Sequence, residues 1–113
     1  MRALCERISL DAVVDANLEA TLHNPAGHSA TTVHGGSGHR MRQTVLALAA
    51  GRSLAEHEVH GDATLLVLDG SVRVFCADES ALLESGDLLA LPRERHSVEA
   101  VEPSAVLLTV ALD

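Results

Sequence analysis

Imidazole and carboxylate are the reactive groups this chain has in number. Seven histidines, sixteen Asp and Glu and two cysteines are spread over 113 residues, and Phe75 is the only aromatic among Phe, Tyr and Trp. No serine stands in a GxSxG turn, so a serine nucleophile has no support. Cys5 and Cys76 lie far apart and form neither a CxxC nor a zinc-ribbon spacing. Both read as reduced thiols, with Cys76 a small buried hydrophobe at the end of an apolar strand. The run Gly35-Gly36-Ser37-Gly38 lacks the GKS/T ending of a phosphate cradle. What is left is metal ligation or the orientation of a polar ligand by the histidines and carboxylates.

Charge narrows the partners. Eight Lys and Arg against sixteen Asp and Glu give a net charge of −8. That balance repels nucleic-acid phosphates and anionic membranes. No run approaches the ~20 apolar residues that span a bilayer. The first ten residues carry Arg2, Glu6 and Arg7 in place of an apolar signal core, so a cytoplasmic location is expected.

Residues 9–23 place Leu10, Val14, Leu18 and Leu22 four apart, with Val13 beside them, and so predict an N-terminal α-helix of about four turns. Ser9 caps its start, Asp11 suits the first turn, and Asn24-Pro25 stops it. Its expected role is to cover a face or end of the domain. Residues 27–40 turn to Gly, Ser, Thr and His, with strand character only near 31–34. Beyond residue 40 the pattern is all-β. Apolar runs at 43–49, 64–68, 72–76, 81–83, 88–91, 97–101 and 105–112 recur at roughly ten-residue intervals, as a sandwich or barrel requires. Asp69-Gly70 is the clearest hairpin turn. One domain is expected, with residues 1–26 as helix and connection and 27–113 as the barrel.

The stretch Gly51-Arg-Ser-Leu-Ala-Glu-His57-Glu-Val59-His60-Gly-Asp62-Ala63, running on to Gly70, resembles the first motif of the cupin superfamily. Gly51, His57 and Gly70 fall in place, while Val59 replaces the second histidine and Ala63 the glutamate. Residues 86–100 resemble the second motif through Gly86, Pro92 and His96, with Glu94 at the glycine position, Ala100 at the asparagine position and His96 one residue early. Fifteen residues separate Gly70 from Gly86. The resemblance covers residues 41–112 and implies a cupin double-stranded β-helix, a jelly-roll barrel, of the small bacterial kind.

In cupins three histidines and a glutamate hold an octahedral divalent transition metal such as Zn, Ni, Mn or Fe. Here the resemblance leaves a depleted set, His57 and His96, with valine at 59, where strand alternation faces the pocket. A bulge near Gly61 would let His60 or Asp62 substitute. His34 and His39 would have to enter from the neighbouring strand, and they read more simply as loop residues. Either Arg42 or Gln43 faces inward by alternation and would orient a polar or anionic ligand. The first expectation is therefore a small-molecule-binding cupin using His57 and His96. The alternatives are a metal-dependent oxygenase or isomerase with unconventional ligands, and a structural or dimerisation module. The resemblance also implies a homodimer.

Overall fold

The computed structural model describes the backbone of residues 7–57 and 61–112 and the side chains of 7–54 and 61–111. Helix α1 runs Leu10–Thr21. The Ser9 side chain accepts a hydrogen bond from the Ala12 amide at 3.2 Å, as an N-cap residue does. At the other end the helix stops short of Asn24-Pro25. The Asn24 carboxamide closes that connection, accepting from the Ala26 amide and donating to the His28 carbonyl.

Nine strands follow: β1 His28–His34, β2 Met41–Leu48, β3 Ser53–His57, β4 Gly61–Asp69, β5 Ser71–Cys76, β6 Glu79–Glu84, β7 Leu88–Leu91, β8 His96–Ala100 and β9 Ser104–Leu112. They form a five-stranded sheet in the order β1-β2-β9-β4-β7 and a four-stranded sheet in the order β3-β8-β5-β6. All pairings are antiparallel, and the two sheets face each other as a jelly-roll barrel. β3 was not among the apolar runs because Leu54 and Ala55 are its only apolar residues.

The core between the sheets follows from period-two alternation. Along β4, Gly61, Ala63, Leu65 and Val67 are buried, and the residues between them are not. Val72 and Val74 of β5, Val98 and Ala100 of β8, and Val106 and Val110 of β9 complete an almost wholly aliphatic interior.

The opposite face of the larger sheet is apolar as well, and α1 covers it. Val14 packs with Val45 and Ala105, flanked by Leu10, Val13, Leu18 and Leu107. The helix seam departs from the expected stripe, because Leu22 is exposed while Asn17 and Thr21 are buried. Asn17 explains the rotation. Its amide nitrogen donates to the Val13 carbonyl and to Thr31 Oγ1, both at 2.9 Å, and its oxygen accepts from Ser29 Oγ at 2.7 Å. The helix is thus bonded to the edge strand β1 by a satisfied buried carboxamide. Asn17→Ala should cost about 1–2 kcal/mol, since it removes the hydrogen bonds that tie the helix to the Ser29 and Thr31 hydroxyls. Urea unfolding checks this, and a loss below about 0.5 kcal/mol would assign the seam to hydrophobic contact alone.

Candidate functional site

His96 opens β8 and is 1% exposed, on the inward parity of Val98 and Ala100. Its Nδ1 lies 3.1 Å from the Glu94 carbonyl oxygen. A carbonyl only accepts, so Nδ1 is the donor in this contact. In register His96 stands between two partners, His57 of β3 and Cys76 of β5. An extra residue in β3, between Leu54 and His57, is what brings His57 opposite His96. The side chain of His57 lies outside the described residues, as do Val59 and His60 entirely.

Beside this row a cavity of about 420 Å³ opens between the ends of the two sheets. Val74, Ala81, Leu89 and Pro92 supply its apolar wall. Cys76, Asp78, Glu79 and Glu94 supply its polar rim. Cys76 and Glu79 pair in register across the hairpin that ends β5 and starts β6, so they share the inward face of Val74 and Ala81. The turn holds Ala77 at φ 54, a left-handed conformation that costs an alanine about 1 kcal/mol. Cys76 is half-buried, not sealed in the core as the sequence suggested. Its Sγ donates to Glu94 Oε2 at 3.5 Å. His96 and Cys76 therefore hold Glu94 from two sides, one through its carbonyl and one through its carboxylate. The rim was not legible in sequence, because it assembles from a hairpin tip and a loop on separate sheets.

The other expected site residues divide sharply. Gln43 does not face the pocket. It shares the outer parity of Val45, and its amide donates to Thr109 Oγ1 at 3.1 Å on the helix-covered face. Arg42 takes the inward parity of Leu46 and Leu48 but sits exposed at the strand start. Asp62 is not turned inward either, because the alternation Gly61, Asp62, Ala63 is unbroken there. The register shift in β4 falls between Val67 and Asp69. Asp62 points outward and pairs with Arg93 at 3.2 Å. His34 pairs in register with Gln43 on the edge of the larger sheet. Its ring meets that of His39 edge-on at 5.9 Å, so these two imidazoles belong to the β1–β2 connection and not to the sheet that carries His96.

The described donors do not fit the metal that the fold implies. Ala63, which takes the glutamate position of the motif that the sequence resembles, faces inward and is 6% exposed, so it brings a methyl group there and no carboxylate. Among the described residues no three His, Cys, Asp or Glu are grouped to hold an ion. A six-coordinate first-row metal asks for more protein ligands than this set offers.

No family model matches the chain, and no curated protein does. Solved structures do. A cupin superfamily protein of Desulfitobacterium hafniense superposes with a TM-score of 0.71 at 22% identity, over 76% of this chain and 78% of that one. KdgF of a Halomonas species gives 0.69 at 22% identity, over 80% and 83%. A salicylate 1,2-dioxygenase of Pseudaminobacter salicylatoxidans gives 0.73 at 23% identity, over 88% of this chain but 33% of that one. At such identities the likeness establishes the fold, which is that of the cupins. Among the described residues no helix is long and apolar enough to cross a membrane.

Proposed function

We propose that this cupin-fold chain binds a small molecule in the cavity beside His96, and that it does so without a resident metal. The cavity itself carries the reading. Its ~420 Å³ falls in the usual range for small-molecule sites, and an aliphatic wall with a few polar groups on one side is their usual composition. Ala63 supports the second half, because a methyl group contributes nothing to a metal. On this reading His96 is a positioning residue. Its bond to the Glu94 carbonyl sets the loop that forms one side of the cavity, and the backbone of His57 pairs with it from β3. A cytoplasmic homodimer is the form in which we expect the protein to act.

A metal-dependent enzyme is the second reading, and the register of His57 against His96 is the observation that favours it. Elemental analysis of protein purified without a histidine tag separates the two. The binding reading expects less than about a tenth of an equivalent of any transition metal, and no rise in unfolding temperature with Mn, Fe, Ni or Zn. A stoichiometric metal that survives dialysis would overturn it.

A further inference from the structure

We infer that the cavity selects a ligand that joins an apolar body to a single organic cation, a protonated amine being the simplest case. The inference rests on the cavity being a binding site, and it adds the class of ligand.

Two features of the cavity act together. Its inner wall, from Val74, Ala81, Leu89 and Pro92, can only take an apolar surface. Its rim is one-sided among the described residues: Asp78, Glu79 and Glu94 contribute carboxylates, and no described Lys, Arg or His lines it. Among the described residues the nearby cations lie outside this lining. Arg93 is turned to Asp62 on the outer side of β4, and Arg73 pairs in register with Leu82 on the outward face of β5. Arg95 neighbours Glu94 in the loop and is absent from the lining.

The carboxylates also keep capacity for a donor. A thiol is a weak hydrogen-bond donor, so the 3.5 Å contact from Cys76 leaves most of the acceptor sites of Glu94 open. Glu79 lies on the same inward face as Cys76, directly across the hairpin, so it and Glu94 approach one end of the cavity from different elements. A cation placed there meets two carboxylates while its hydrocarbon part meets the aliphatic wall. An anion of the same shape meets the same wall and is repelled by the rim, in a protein whose net charge is already −8.

The test is a matched series with one hydrocarbon body and three head groups: isopentylamine, isopentanol and isovalerate. Each is titrated into the full chain at neutral pH and low salt and followed by amide NMR at Val74, Ala81 and Leu89. The inference expects the amine to bind about tenfold more tightly than the alcohol, and the acid to bind most weakly. The Glu79→Gln, Glu94→Gln double variant should lose the preference for the amine and keep its affinity for the alcohol. Added salt should weaken the amine alone. Both positions are exposed, and the same spectra report whether the variant is folded. Equal binding of all three head groups at those amides, or a double variant that still prefers the amine, would overturn the cation inference and leave the binding reading intact. Silence of those amides toward all three compounds would overturn both.

Discussion

Gly70→Ala is expected to lose about 3 kcal/mol or more, a large part of the 5–15 kcal/mol that holds a domain of this size together. Gly70 ends the turn between β4 and β5 at φ 83, where an L-residue is already strained by about 1–2 kcal/mol. A methyl group there also runs into the Pro103 carbonyl and the Ser104 side chain and backbone. None of these can retreat cheaply. Ser104 Oγ accepts from the Ser71 amide at 3.0 Å and lies 2.9 and 2.7 Å from the Ser71 and Glu102 carbonyls, while Ser71 Oγ donates to the Glu102 carboxylate at 2.9 Å. Displacing Ser104 therefore uncouples the β4–β5 turn from the start of β9. Gly51→Ala is the internal control. It shares the strained conformation, at φ 77, but has nothing within 4 Å of the added carbon, so it should cost about 1 kcal/mol. Urea denaturation of the pair measures both, and equal losses would show that backbone strain, not the close approach, governs the turn.

Ala63→Glu should have a comparable effect for a different reason. Position 63 is 6% exposed, between Leu91 of β7 and Val110 of β9, in an interior of aliphatic side chains. A carboxylate there is buried without a described partner, which costs on the order of 3–5 kcal/mol. Ala63→Gln has nearly the same shape without the charge and should lose less. The decisive measurement is the response of the Glu variant to Mn, Fe, Ni or Zn in a thermal unfolding assay. On the metal-free reading the ions restore little of the lost stability. Recovery to the wild-type midpoint by one of them, with no such recovery in the Gln variant, would mean that the histidines still converge on an ion.

The parts of the fold that announce themselves in sequence are those with local causes. The helix is written in Ser9 and in the spacing of Leu10, Val14 and Leu18, and eight of the strands show as apolar runs or strand-like stretches between turn residues. Leu22 was misplaced on the buried stripe because the helix is rotated by Asn17, and a carboxamide gives no hydrophobic signal. At the site, the motif resemblance singled out His96, one residue early; it is buried at the head of β8 but is not among the residues that line the cavity. Alternation placed one of Arg42 and Gln43 inside but could not choose between them. The choice depends on which face of β2 the helix covers, a tertiary fact. Asp62 was offered as a replacement ligand on the strength of a bulge that β4 does not contain near Gly61. The acidic rim was invisible for a plainer reason. Glu79 and Glu94 look like ordinary surface charges until a hairpin from one sheet and a loop leading out of the other set them around one opening.

The place of β9 has a consequence for how the protein is made. It lies between β2 and β4, matching Met41 and Asp62 alike to Ala111, yet it follows every other described strand along the chain. A nascent polypeptide on the ribosome therefore exposes two aliphatic strands with open hydrogen-bonding edges until residues 104–112 have left the exit tunnel. The larger sheet closes only after translation has passed that point, in a single late and non-local step.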